Sequence, residues 1–361
     1  MATNADRPLR VLLPNNVDRR KSAISTLMRE VASRLDEFQF YAFSSPEDEE
    51  DRLHAGAFWQ IAHVRQTSKP AVVTRKYDIV WHASVTPANL LCCAAARTRG
   101  LGGTHHVFTA NVEMGSSLRY AKLFKLALRY AKTVVAVSEA VKRSTAASYG
   151  VEADMVIPNG FDAEFYTMAE PGQKIPDTVP EPRRPYFLFC GALTERKRPD
   201  VLIEIAKQIP EAEFLVVGGN LWPEQGDRYL AEMGKLPNVH YLGYRPRGEA
   251  RDLMQHARAL IFPSEREGLP LSVIEAMGCG CPVLAQPKSS LPEVVIDGKN
   301  GWLLADDPDI WADRCREILG WDETKRQRYA HEVRSTVTGR FEWGEIAASY
   351  RDLFVRLADR C

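Results

Sequence analysis

Short apolar runs alternate with helix-period stretches through both halves of this chain, and a proline-rich stretch separates the halves. Leu9 to Leu13 is a continuous apolar run, followed by helical periodicity from about Ser22 to Leu35 and a second run at Phe38 to Phe43. Tyr77 to His82, Val107 to Ala110 and Thr133 to Val137 continue the series. Short apolar strands alternating with helices predict parallel sheet built from βα units. Glu170 to Pro185 carries Pro171, Pro176, Pro180, Pro182 and Pro185 and reads as an inter-domain connection. Beyond it the pattern resumes at Tyr186 to Gly191, Phe214 to Val217, Val239 to Leu242, Leu260 to Phe262 and Val283 to Ala285. The expected fold class is α/β, with two Rossmann-like domains whose parallel sheets face a central cleft. One domain takes residues 1–168 plus a returning C-terminal helix at about 341–361, and the other takes 169–340. Ligands are expected at the carboxyl ends of the strands. No short-period repeat is visible, which excludes a solenoid.

Bulk properties fit an enzyme of two domains. The 361 residues exceed one ordinary core. Lys+Arg and Asp+Glu both number 47, so net charge supplies no attraction to nucleic acid, and no nucleic-acid partner is expected. No apolar run approaches the ~18 residues needed to cross a bilayer, and Met1 to Pro8 carries no apolar signal region. The seven cysteines form no metal-spaced pair and read as reduced thiols, so the expected compartment is the cytoplasm.

The chemistry concentrates between Pro263 and Val283. Glu267 and Glu275 stand on either side of a turn that opens a helix, with Pro270 suited to its first position and Gly278 or Gly280 to its end. The amides of Leu271, Ser272 and Val273 are expected without intrahelical partners, giving an anion site at a positive dipole end. Glu275 follows about one turn later at ~1.5 Å per residue. A sugar-hydroxyl binder, a diphosphate site and a ribose binder in that order suit an extended nucleotide-diphospho-sugar. A second basic loop, Gly191 to Asp200, leaves a predicted strand and opens a helix near Pro199. Lys197 is a compact cation for a diphosphate; Arg196 and Arg198 share the candidacy, and the sequence does not say which points inward.

The Pro263–Val283 segment resembles the donor-site signature of retaining family 4 glycosyltransferases of the GT-B fold. Val137 to Lys142, Val156 to Asp162 with Phe165, Gly191 to Asp200, Leu215 to Gly219 and Phe341 to Tyr350 resemble further landmarks of that family, in order. The resemblance implies a hexosyltransferase that moves a sugar from a UDP- or GDP-hexose type donor to a hydroxyl acceptor with retention. By the same resemblance Glu267 touches the donor sugar and Glu275 the ribose; Glu267 and Lys197 are then catalytic, and Glu275, Arg196, Gly268, Leu269, Pro270, Leu271, Ser272 and Gly191 bind the donor. It implies no cofactor and no metal. Asp307-Pro308-Asp309 is formally Asp-x-Asp but is expected to cap the following helix.

Three departures from the family pattern stand out. Ala192 replaces an arginine after the strand glycine, and Ala110 or Asn111 occupies the place of a first-domain histidine. Pro14 to Ser22 replaces a glycine pair in the first βα loop. Asn15, Asn16, Arg19 and Asn111 are candidates for the acceptor or phosphate side, although a solvated loop is an equal reading for the basic stretch Arg19 to Lys21. His105 and His106 are expected to face bulk solvent. Residues 119–132 form a basic amphipathic pattern, either a surface helix or a peripheral contact with the inner membrane surface serving a lipid-linked acceptor. A small-molecule acceptor is equally open. Alternatives at this stage are a non-catalytic nucleotide-sugar-binding protein and a nucleotide-sugar epimerase or hydrolase on the same scaffold.

Overall fold

The structure is a computed structural model describing residues 7–16, 23–43, 61–67, 77–83, 104–111, 121–170, 172–173, 175 and 184–359. The chain divides into two compact units: residues 1–160 with 343–361, and residues 161–342. The first boundary thus falls before the expected 168/169, because Phe161 to Tyr166 packs with the second unit. The Arg334 guanidinium donates to the carbonyls of Ala163, Tyr166 and Gly278, and the Phe161 N–H donates to the Phe341 carbonyl at 2.7 Å.

In the first unit the strands are β1 (Leu9–Asn16), β2 (Phe38–Phe43), β3 (Val64–Gln66), β4 (Ile79–His82), β5 (His105–Ala110), β6 (Thr133–Ala136) and β7 (Met155–Val156). They form one sheet in the order β3-β2-β1-β4-β5-β6-β7 with every pairing parallel. The helices include α1 (Ala23–Ala32), α2 (Ala121–Tyr130) and α3 (Glu139–Tyr149). Ser138 caps α3 by accepting from the Val141 N–H, and Gly150 closes it in the left-handed region. The last helix, α11 (Trp343–Ala358), belongs to this unit. Its Tyr350 and Phe354 rings lie 4.6 and 5.5 Å from Trp81, and the Trp81 Nε1–H donates to Thr109 Oγ1, which is 3.0 Å from the Tyr350 hydroxyl.

The second unit's sheet, β10-β9-β8-β11-β12-β13, is also wholly parallel. It comprises β8 (Tyr186–Cys190), β9 (Glu213–Val217), β10 (Val239–Gly243), β11 (Leu260–Phe262), β12 (Val283–Ala285) and β13 (Gly301–Leu303). Its helices are α4 (Pro199–Gln208), α5 (Pro223–Met233), α6 (Arg247–His256), α7 (Leu271–Gly278), α8 (Leu291–Val294), α9 (Pro308–Leu319) and α10 (Glu323–Ser335). Phe187, Phe189, Phe214 and Trp311 anchor the core beneath α4 and α9. Strands this short and buried on both faces are the parallel, helix-covered type, so each unit is Rossmann-like.

Candidate functional site

The carboxyl ends of β8, β9 and β11 lie side by side in the second unit, and two backbone approaches shape the space there. A Cβ on Gly218, at φ 151°, would stand 1.9 Å from the Gly191 carbonyl oxygen, so only glycine lets the β9 end lie against the β8 end. The chain then turns through Glu195–Lys197, a single 3₁₀ turn, into Arg198 at φ 53°. Arg198 and Ser289 are the two non-glycine residues with left-handed φ among the described residues; Ser289 bonds the Glu267 backbone, and Arg198 directly follows Lys197. Local backbone strain of this kind concentrates at functional sites.

Glu267 is the centre of the arrangement. Its side chain is 9% exposed. Oε1 receives three donors: Lys197 Nζ at 2.7 Å, Arg196 Nη1 at 2.8 Å and Ser264 Oγ at 2.5 Å. Oε2 accepts none from the described residues. Ser289 Oγ accepts from the Glu267 N–H at 2.9 Å and donates to its carbonyl at 2.6 Å, which fixes the backbone. Burial raises the carboxyl pKa, but the charges of Lys197 and Arg196, with the bonds from Lys197 and Ser264, outweigh it and hold Glu267 below its ordinary value. Lys197 also lies 4.5 Å from the Phe262 ring centroid. Two cations against one carboxylate leave an excess positive charge beside an oxygen that can still accept a hydrogen bond.

Arg198 does not join them. Its guanidinium pairs with Asp200 and Asp306 at 2.8 Å each and with Glu265 at 3.4 Å. Of the three neighbouring cations, the 3₁₀ turn delivers Arg196 and Lys197 to Glu267 and sends Arg198 to an acidic cluster. Gly191 follows β8 against the Lys197 stem, where a Cβ would make ordinary contact at 3.5 Å. Ala192 stands in the same loop and has no side chain able to reach an anion.

Helix α7 begins one residue later than expected, with Pro270 as the N-cap rather than the first helical residue. The Val273 N–H is not free: it donates to the Pro270 carbonyl at 3.3 Å. Among the described residues no hydrogen bond engages the amides of Leu271 and Ser272, so the anion site narrows to these two. Gly268 and buried Leu269 form the turn before them. Gly278 is the last helical residue and Gly280, at φ 76°, completes the turn into β12. Glu275 is half-buried, and its charge, after burial, raises the pKa of the Tyr166 phenol, which receives Arg247 Nε at 3.1 Å.

The first-unit candidates are less defined. Asn15 and Asn16 end β1, and Arg19 lies outside the described residues, as does the acidic stretch 47–51. Asn111 directly follows β5, and its amide nitrogen is buried with no hydrogen-bond partner among the described residues. His105 and His106 are not solvent-facing: they are 9% and 5% exposed, because β5 is interior to the sheet and covered on both faces. Helix α2 places Ala127 and Leu128 inward and leaves Lys122, Leu126, Arg129 and Tyr130 exposed. Asp307 caps α9 by accepting from the Asp309 N–H at 3.0 Å, and Asp309 accepts from Gln208 at 2.9 Å.

Sequence reasoning missed Ser264, Ser289, Tyr166 and Arg247. Ser264 lies inside the Pro263–Val283 segment, and Tyr166 stands directly after the Phe165 landmark. Nothing marked Ser289 or Arg247, whose roles depend on tertiary approach.

Comparison with known proteins adds two sequence-family matches. Residues 24–165 match the sequence family described as Glycosyltransferase Family 4, and residues 173–335 match Glycosyl transferases group 1. The fold is that of the Anabaena protein HepE in complex with UDP and glucose, at TM-score 0.79 and 19% identity over 96% of this chain and 99% of that one. Two glycosyltransferase family segments thus follow one another along this chain, on a fold shared with GT-B structures. It is 32% identical over 253 residues to the D-inositol 3-phosphate glycosyltransferase of Xylanimonas cellulosilytica, covering 63% of this chain and 59% of the relative. It is 29% identical over 243 residues to an alpha-maltose-1-phosphate synthase of Mycobacterium tuberculosis, covering 62% and 63%. The aligned region thus spans less than two thirds of the length of each of these two curated relatives.

Proposed function

We propose that this chain is a retaining glycosyltransferase that moves a hexose from a UDP- or GDP-sugar to a hydroxyl acceptor. The observation that carries the reading is Glu267, buried against Lys197 and Arg196 with one carboxylate oxygen still able to accept, beside the amide end of α7. In this reading Glu267 Oε2 accepts from a donor-sugar hydroxyl, while Lys197, Arg196 and the amides of Leu271 and Ser272 face the diphosphate. Glu275 meets the ribose. As the bond from the anomeric carbon to the phosphate oxygen breaks, its electron pair passes to the phosphate. The acceptor oxygen bonds to the anomeric carbon from the same face and its proton goes to the departing phosphate oxygen. Negative charge therefore grows where fixed positive charge already stands, the arrangement that lowers such a barrier most. These fixed charges do the work that a divalent cation would otherwise do, so turnover without added metal belongs to the reading.

The acceptor is either a small molecule or a lipid-linked one, and the cationic face of α2, with exposed Leu126 and Tyr130, suits contact with an anionic membrane surface. Among the described residues no helix is long and apolar enough to cross a membrane. The reading places the chain in the cytoplasm or at the inner membrane surface. The test is a panel of UDP-, GDP-, ADP- and TDP-sugars incubated with the full chain and candidate acceptors. Product is followed by mass spectrometry and the new linkage by anomeric NMR coupling. An inverted linkage would remove the retaining assignment, and nucleotide-sugar binding without transfer to any acceptor would favour a binding protein.

A further inference from the structure

Two connections between strand and helix at the carboxyl edge of the second unit's sheet meet at one hydroxyl. Glu267 lies between β11 and α7, outside both, so neither a strand ladder nor a helix satisfies its peptide groups. Ser289, between β12 and α8, takes that task. Its Oγ accepts from the Glu267 N–H at 2.9 Å and donates its one hydrogen to the Glu267 carbonyl at 2.6 Å. There Ser289 holds φ 58°, a region that glycine enters freely and other L-residues enter at a cost. The rest of its connection is tied to the same neighbourhood. Gln286, wholly buried, donates to Asp306 at 3.1 Å, and the Lys288 ammonium lies 3.5 Å from Glu265 and 3.8 Å from Asp306.

From this geometry we infer that Ser289 is a positioning residue for Glu267, setting the backbone from which the carboxylate is aimed. This rests on the proposed contact between Glu267 and the donor sugar. Lys197, Arg196 and Ser264 all meet Oε1 and hold the carboxylate from that side. The direction of Oε2 then depends on where the Cα stands and how its two peptides are rotated, and Ser289 grips both peptides with one atom. A misplacement of about 1 Å at a reacting site can cost on the order of a hundredfold in rate, so this grip matters to turnover as well as to binding. Glycine at 289 would relieve the left-handed φ but bring no hydroxyl, so strain and grip separate by substitution.

The experiment measures, by calorimetry on the full chain, the tightest-binding nucleotide sugar of the UDP, GDP, ADP and TDP panel beside its bare nucleoside diphosphate. Wild type is compared with Ser289→Ala and Ser289→Gly. Both variants should bind the nucleotide sugar about tenfold more weakly, the size of one charge-assisted hydrogen bond, and bind the bare diphosphate as wild type does. In urea unfolding Ser289→Gly should be the more stable of the two, because it alone sheds the left-handed penalty. Sugar recognition then follows the missing hydroxyl while stability follows the backbone. Nucleotide-sugar affinity restored in Ser289→Gly, equal weakening toward both ligands, or no change in either variant overturns the positioning role. Glu267→Gln tests the underlying reading: an unchanged nucleotide-sugar affinity in that folded variant removes the sugar contact, and the inference falls with it.

Discussion

Replacing Lys197 by methionine keeps most of the stem that lies on Phe262 and Gly191 and deletes the 2.7 Å ion pair to Glu267. The carboxylate would remain only 9% exposed, with Arg196 and Ser264 as its remaining partners. Removing one partner of a buried pair costs about 3–5 kcal/mol. Arg196 is 41% exposed and its charge is screened, but it still offsets part of that loss, so about 2–3 kcal/mol of stability should disappear at pH 7.5. In wild type the lowered pKa of Glu267 contributes stability above the unfolded carboxyl value and loses it as pH falls through the folded value. Without Lys197, burial gains the upper hand and the carboxyl should titrate above its unfolded value, so the variant gains relative stability on acidification. The deficit measured by urea unfolding should therefore shrink between pH 7.5 and pH 4.5. In turnover, if Lys197 faces the leaving diphosphate as proposed, the variant should lose about 3–4 kcal/mol in kcat/KM with kcat itself reduced. A variant as stable as wild type at pH 7.5, or a deficit equal at both pH values, would refute the buried-pair account. A stable deficit with unchanged kcat would separate the fold role from the catalytic one. Arg196→Ala should cost less than Lys197→Met in both assays, since its guanidinium is the more exposed of the two.

Three further outcomes are expected. Glu275→Ala should raise the donor KM about tenfold or more by removing a charge-assisted contact, and unchanged donor affinity in the folded variant would end the ribose assignment. Activity should survive EDTA and exhaustive desalting; loss restored by Mg²⁺ or Mn²⁺ would require a metal in the diphosphate step. His82 is held neutral to about pH 3 by burial, with His106 adding to the effect, against an ordinary value near 6.5. At pH 5 its unfolded form is protonated and its folded form is not, so the protein should lose about 2 kcal/mol between pH 8 and pH 5, and His82→Gln should flatten that slope in urea titrations.

Much of the fold was legible because parallel strands announce themselves. Leu260 to Phe262 and Val283 to Ala285 are observed with the bounds expected from their apolar runs. The strands that escaped notice, Val64–Gln66, Met155–Val156 and Gly301–Leu303, are two or three residues long and sit at sheet edges, where one partner strand suffices and little apolar pattern is needed. Around Glu267 the sequence offered Lys197 and Arg196 as candidate cations but did not pair either with the glutamate. That Arg198 turns to Asp200 and Asp306 while Lys197 turns to Glu267 follows from a left-handed residue at the end of a 3₁₀ turn, and arginine does not advertise that conformation. His105 and His106 misled because polarity suggests exposure, whereas their strand is interior.

The return of α11 to the first unit has a consequence for biosynthesis. Trp81 and Thr109 are made early, yet the Tyr350 ring and hydroxyl that complete their surroundings leave the ribosome more than two hundred residues later. The second unit, contiguous from 161 to 342, can finish folding while the first still lacks its last helix. The unit translated first is therefore the one completed last. Chains cut back to residue 342 and stalled behind a linker long enough to bring that residue out of the exit tunnel should protect Trp311 from protease digestion but not Trp81.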